Sequence, residues 1–248
     1  MFVNLMTINN LTWLDPQAVA TAQLVLCDLD GCLVSEGRAF PDTTDFVAAC
    51  GNRLWIVSNN STHTAATLCD ELAALGLKVT EDRILLAGEQ TLVLLAMRHP
   101  GARLALYGSD CLRERALALG LRLEEDHPDI MLLCREMRFA LPDLERLTAQ
   151  IVRGGVFWVA NTDRTHPGLD GSQKAETGAL LAAVSAVLGP FNFESIGKPN
   201  SHLGRIALER MGIAAQDAVF VGDRVDTDGA LERACNLPFL HVKRGAAR

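Results

Sequence analysis

Four short stretches carry residue types that could do chemistry. The first, Leu24-Val-Leu-Cys-Asp28-Leu-Asp30-Gly31, runs an apolar segment into two carboxylates one residue apart, then a glycine. Side chains two apart on a strand point the same way, so a strand ending here would present both acids together. Paired carboxylates suit a hard cation such as Mg²⁺, although an acid pair capping a turn would look the same. The second, Leu54-Trp-Ile-Val-Ser58-Asn59-Asn60-Ser61-Thr62, ends an apolar segment in small hydrogen-bonding residues ahead of a helical pattern. A hydroxyl, an adjacent amide and a helix N-terminus together suit a phosphoryl group. An ordinary N-cap run is the plainer alternative.

The third stretch, Ile196-Gly-Lys198-Pro199-Asn-Ser201, puts a cation just before a helical segment. That end of the helix dipole disfavours it. The chain has four lysines against nineteen arginines, so a lysine here is more informative than usual, though a solvated one would read alike. The fourth, Ala218-Val-Phe-Val-Gly222-Asp223-Arg-Val-Asp226-Thr227-Asp228, again delivers an acid at the end of an apolar segment. Helix capping by Asp226 or Thr227 accounts for part of it and leaves Asp223 unexplained.

Positioning these residues requires strands that end where the acids begin. Seven apolar runs read as strands: Leu24–Leu29, Leu54–Val57, Arg103–Tyr107, Asp129–Leu133, Val156–Ala160, Ala218–Val221 and Phe239–Val242. Between them lie helical spacings, such as Ala65, Leu68, Leu72 and Leu75, or Leu203, Ile206 and Met211 with Ala207. Three such segments close alike, on Gly76, Gly120 and Gly212, each followed by an apolar residue that can pack back on the last turn. Strand–helix alternation predicts an α/β fold with parallel sheets, whose ligands bind beyond the strands' carboxyl ends. The chemically suggestive residues Asp28, Asp30, Ser58 and Asn59 lie before residue 61, and Lys198, Asp223 and Asp228 after residue 197. The distribution predicts a discontinuous core, 1–80 and 192–248, with a module inserted at 81–191.

Composition narrows the function classes. A chain of 248 residues allows one α/β domain or a core with an insert, and 49% hydrophobic with 21% charged residues describes a globular chain. A net charge of -7 argues against a nucleic-acid polymer or an anionic membrane as partner, but not against a small anion beside a local cation. The start, Met1 to Asn10, lacks the cationic and apolar runs of a signal peptide, and no uninterrupted apolar run reaches about 18 residues. Seven cysteines (27, 32, 50, 69, 111, 134 and 235) make no Cys-x-x-Cys pair. Reduced, mostly buried thiols in a cytoplasmic protein are expected, not a zinc site. No Gly-x-Gly-x-x-Gly follows a strand, so a dinucleotide dehydrogenase is not supported.

Taken in order, Asp28-Leu-Asp30-Gly31, Ser58-Asn59, Lys198-Pro199 and Gly222-Asp223 through Asp228 resemble the four motifs of the haloacid dehalogenase superfamily. Ser-Asn-Asn-Ser, Gly-Lys-Pro-Asn and Gly-Asp-Arg-x-x-Thr-Asp resemble its NagD-like and p-nitrophenylphosphatase branch, which carries a large α/β cap between motifs two and three. The resemblance implies a Rossmann-like core and Mg²⁺-dependent hydrolysis of a small-molecule phosphate ester through an aspartyl-phosphate. It implies Asp28 as nucleophile and Asp30 as general acid and base. Ser58 and the Asn59 amide would hold the transferring oxygens, and Lys198 would supply fixed positive charge. Mg²⁺ would be held by Asp28, Asp223 and the backbone carbonyl of Asp30, with Asp228 ordering metal-bound water or orienting Lys198. A homo-oligomer formed through the cap is compatible with it.

Within the insert, the polar stretch Asn161–Gln173 makes Asp163, Arg164 and His166 candidates for substrate specificity, with a solvated connection as the alternative. Arg135 and Arg138 could meet a carboxylate-bearing phosphate or lie on a solvated turn. Cys32 stands where the family more often has Thr or Val, and a thiol beside the nucleophile raises the expectation of oxidation sensitivity. A phosphotransferase or mutase on the same fold, a signalling phosphoacceptor domain and a non-catalytic binding protein are the alternatives. The Asp30 acid/base and the insert argue against a phosphoacceptor.

Overall fold

All seven apolar runs form strands in the computed structural model of the protein, which describes residues 9–244 apart from 169 and 171. Positions 1–8 and 245–248 of the expected core lie outside the described residues. The larger sheet has six strands in the spatial order Asn9–Leu11, Phe239–Val242, Ala218–Gly222, Leu24–Cys27, Leu54–Ser58 and Ile84–Leu86. Every pairing in it is parallel. Its central strands are buried throughout and almost wholly apolar because both faces are covered. Leu24, Leu26, Trp55 and Val57 enter one buried cluster, while Val25, Cys27 and Ile56 enter another that includes Phe46, Leu68 and Leu72 from helices Thr43–Cys50 and Ala65–Ala74.

From Leu24–Cys27 the chain moves to Leu54–Ser58 on one side, and much later returns to Ala218–Gly222 on the other. The winding direction therefore reverses beside Leu24–Cys27, and such a switch point opens a crevice at the carboxyl ends. Asp28 is the next residue.

The smaller sheet is also parallel, in the order Val156–Val159, Ile130–Leu133, Arg103–Tyr107 and Arg122–Leu123. Tyr107, Met131, Leu133 and Phe157 pack under helices Leu141–Val152 and Thr177–Leu188. Residues of alternate parity, Leu104, Leu106, Ile130, Leu132 and Trp158, join the cluster that holds Leu24, Leu26, Trp55 and Val57. One apolar cluster thus passes from the smaller sheet to the larger one.

The insert is bounded differently from the expected 81–191. Ile84–Leu86 pairs with Leu54–Ser58 as an outer strand of the larger sheet, and three residues are too few to show a periodicity. At the other end Glu194 still bridges to Trp158 of the smaller sheet. The three glycine-closed helices are as expected. Gly76, Gly120 and Gly212 have φ of 79°, 82° and 64°. The next residues donate back five positions, Leu77 to Leu72, Leu121 to Ala116 and Ile213 to Leu208. Among the described residues no helix is long and apolar enough to cross a membrane.

Candidate active site

The backbone N–H of Asp28 donates to the Val221 carbonyl at 2.9 Å, which extends the ladder one residue past the Leu24–Cys27 strand. Asp28 is thereby tied to the strand that carries Asp223. Two glycines let the acids converge. Gly31 has φ +83°, and a Cβ there would collide with the Asp223 carboxylate; a Cβ on Gly222 would collide with that of Asp228. Oxygens of Asp28, Asp223 and Asp228 lie within 4.8 Å of one another.

Lys198 Nζ sits 2.6 Å from Asp28 Oδ1 and 2.7 Å from Asp228 Oδ1, with its side chain only 2% exposed. Burial alone would lower its pKa; Asp228 and Asp28 outweigh that and hold the ammonium protonated. The pKa of Asp223 is pushed up by burial and then by negative Asp28 and Asp228. Asp228 is raised by burial and Asp28, with Lys198 opposing. Three carboxylates against one ammonium leave an excess of negative charge, and Asp223 Oδ1 is buried with no hydrogen-bond partner. Hard oxygen donors with surplus negative charge fit a divalent cation such as Mg²⁺. Asp28, Asp223 and Asp228 are the side chains that could hold it; the Asp30 carboxyl is not in this cluster.

Asp30 reaches into an adjoining cavity of about 440 Å³. Although Asp30 is exposed to that cavity, desolvation by the walls around it, then negative Asp28 and Glu176, push its pKa up to about 6. A carboxyl in that range exchanges a proton readily near neutral pH. Ser58 lines the same cavity; its Oγ accepts from Asn60 N at 3.0 Å, leaving the hydroxyl hydrogen to donate.

The Asn59 side chain, as distinct from its backbone amide, is taken up by protein partners. Its Nδ2 donates to Asp163 Oδ2 at 2.8 Å and to the Lys198 carbonyl at 2.9 Å, and its Oδ1 accepts from Lys198 N at 2.6 Å. The side-chain amide is spent on protein partners and ties the lysine's backbone to the insert. No helix N-terminus follows directly either. Helix Ala65–Ala74 begins later, closed by reciprocal Thr64 and Thr67 hydrogen bonds, and Ala65 N is taken by buried Glu89 at 2.7 Å.

The specificity candidates divide. Asp163 faces inward, paired with Asn59 and with Arg224 at 3.3 Å. His166 lines the cavity with Nδ1 2.7 Å from Glu176 Oε1. Arg164 is exposed and does not line it. Arg135 lines the cavity and pairs with Glu176 at 3.4 Å, whereas Arg138 pairs outside it with Asp110 and Glu136. Sequence reasoning missed Lys174 and Glu36, an ion pair of 3.4 Å on the cavity wall. Lys174 stands across from His166 in the hairpin of Thr165–Pro167 and Gln173–Ala175, one residue beyond the polar stretch that drew notice. The environment of Cys32 argues against the expected oxidation sensitivity. It is fully buried, its Sγ is 3.7 Å from Cys27 Sγ, and that contact together with burial raises its pKa well above the ordinary thiol range.

Comparison with known proteins places this arrangement. Residues 25–122 match a family profile described as haloacid dehalogenase-like hydrolase, and residues 195–248 match one described as HAD-hydrolase-like. A D-glycerol 3-phosphate phosphatase of Mycobacterium tuberculosis is 31% identical over 89% of this chain. The ribonucleotide monophosphatase NagD of Escherichia coli is 27% identical over 84% of this chain and 82% of its own length. The chain belongs to the NagD-like phosphatases of the haloacid dehalogenase superfamily. It spans 63% of the length of the mycobacterial relative. Among solved structures, glycerol phosphate phosphatase from M. tuberculosis in complex with magnesium superposes with a TM-score of 0.80 at 28% identity. That match covers 91% of this NagD-like chain and 68% of the other.

Proposed function

We propose that the protein hydrolyses a small phosphate monoester by phosphoryl transfer to Asp28. The observation that carries this reading is the cluster itself: three convergent carboxylates, one ammonium within 2.7 Å of two of them, and a buried, unpartnered Asp223 oxygen. A divalent metal held by Asp28, Asp223 and Asp228 would offset the repulsion between carboxylate and phosphate. Asp28 attacks phosphorus as a carboxylate, without needing a base. As the bond to the leaving oxygen breaks, Asp30 gives its proton to that oxygen. Asp30 then takes a proton from the water that opens the aspartyl-phosphate, restoring both carboxyl groups. Lys198 keeps positive charge against the nucleophile, and the Ser58 hydroxyl donates to a transferring oxygen.

The cavity beside Asp30 favours a polyol or sugar alcohol as leaving group. Arg135, Lys174 and Arg224 each face an acid, Glu176, Glu36 and Asp163, so among the described residues no arginine or lysine of that wall is left over for a second anion. Among the described residues no Phe, Tyr or Trp lines it to stack a nucleobase. Such paired walls still offer donors and acceptors to hydroxyl groups, and relatives named for glycerol and sugar phosphates support the same class. The segment between Leu86 and Ser195 acts as the cap over this cavity. All seven cysteines are free, which suits the reducing cytoplasm.

The test is phosphate release from glycerol 3-phosphate, sugar phosphates, nucleoside monophosphates and phosphoglycolate, with Mg²⁺ or with chelator. Turnover should require Mg²⁺, favour the first two classes and vanish in Asp28→Asn. No turnover at millimolar substrate, or full activity in Asp28→Asn, would overturn the proposal.

A further inference from the structure

Arg244 follows the Phe239–Val242 strand and makes contacts that the proposed chemistry leaves unexplained. Its Nε donates to the Cys32 carbonyl at 3.1 Å, and Nη2 donates to the same oxygen. Nη1 lies 2.8 and 2.7 Å from the two carboxyl oxygens of Asp42, and the guanidinium carbon sits 4.2 Å from the Phe40 ring centre. Asp42 in turn accepts from Leu14 N at 2.6 Å. The Arg244 side chain is 13% exposed. Only a planar, forked donor can serve a carbonyl and a carboxylate at once while stacking on a ring.

All three contacts fall on the segment that leaves the catalytic strand. The turn after Asp28 is held from inside, because the N–H groups of Cys32, Leu33 and Val34 all converge on the Leu29 carbonyl, at 3.3, 2.9 and 3.0 Å. Asp30 lies within that turn, and its backbone bridges to Val34. The Cys32 carbonyl of the same turn is held by Arg244, which also pairs with Asp42 and follows the Phe239–Val242 strand. Asp30 therefore sits between two anchors, the Leu29 carbonyl and the Arg244 guanidinium.

We propose that Arg244 is a positioning residue that holds the Asp28–Cys32 turn so that Asp30 can deliver its proton to the leaving oxygen. The inference rests on the role of Asp30 given above. A staple that served folding alone would affect every substrate alike. A residue that aims Asp30 matters most where the leaving group needs a proton, as with an alkyl phosphate, and least for 4-nitrophenyl phosphate, whose phenolate departs unprotonated.

The readout is kcat/KM, which ends at transfer to Asp28 and so excludes the water step. In Arg244→Gln, kcat/KM for glycerol 3-phosphate should fall about tenfold, and that for 4-nitrophenyl phosphate less than about twofold. Arg244→Lys keeps charge opposite Asp42 but loses the fork, and should shift the ratio the same way; it serves if Arg244→Gln does not fold. Asp30→Asn should show a larger shift in the same direction. Equal loss with both esters, or an unchanged ratio with only a lower Tm, would overturn the proposal. If wild type and Asp30→Asn behave as stated while both Arg244 variants keep the wild-type ratio, this inference alone fails. Wild type inactive on both esters in Mg²⁺ would overturn the reading of the site as well.

Discussion

Replacing Asp223 by asparagine removes a charge while keeping the shape, and so separates the cost of the acid cluster from its use. Oxygens of Asp28, Asp223 and Asp228 lie within 4.8 Å of one another. At an effective dielectric constant near 20, two like charges at that distance repel by about 3.5 kcal/mol. Asp223 meets two such neighbours, and Lys198 offsets roughly one of them. Allowing for residual solvent screening, about 2 kcal/mol remains against the folded, metal-free protein. Asp223→Asn should therefore stabilise that form by about this amount, a rise in Tm of about 4–8 °C.

The pH dependence has a defined sign. Burial and negative neighbours raise the Asp223 pKa in the folded state above that of an unfolded carboxyl. The folded protein then binds a proton more readily, so metal-free stability falls as pH rises from the ordinary carboxyl range through the raised value. Asp223→Asn should flatten that slope. Thermal unfolding in chelator and in Mg²⁺, at about pH 5 and about pH 8, reads both effects. Wild type should gain Tm from Mg²⁺ and the variant little, while phosphate release falls by about a hundredfold or more. A variant less stable than wild type in chelator at the higher pH, or one that gains as much from Mg²⁺, would refute the charge accounting.

Two further substitutions probe the insert and the thiol. Asp163→Ala leaves Arg224 Nη1 and Asn59 Nδ2 without their shared acceptor, which should cost about 1–3 kcal/mol in thermal unfolding. In steady-state assays it should raise KM more than it lowers kcat, because the cap loses its tie to Asn59. Peroxide should inactivate wild type and Cys32→Ser at the same rate, since Cys32 is buried and its pKa is raised. Peptide mass spectrometry should then find oxidation first at partly exposed Cys69 and Cys111; faster loss in wild type would restore a role for Cys32.

The residues that share the acid cluster were legible because each obeys a local rule. Asp28 and Asp223 follow buried strands, and once the strands are parallel neighbours the acids must meet. Lys198 was legible as a rare lysine at an unfavourable helix end. Other geometry was hidden from that rule: no local pattern shows that the Asn59 side chain fastens Lys198 to Asp163.

The cavity walls escaped for a different reason. Glu36 sits at the tip of a hairpin with strands of two residues, too short for any period, and its partner Lys174 is supplied by the insert. Arg224 finds Asp163 in the same way, across the same boundary. The acid cluster is thus written in short segments that the sheet brings together, whereas the cavity walls, to which the proposed function gives the choice of leaving group, are ion pairs between core and cap that no local pattern announces. Exchanging Lys174 or Asp163 should for that reason alter which ester is turned over more than whether any is, since neither touches Asp28, Asp223 or Asp228.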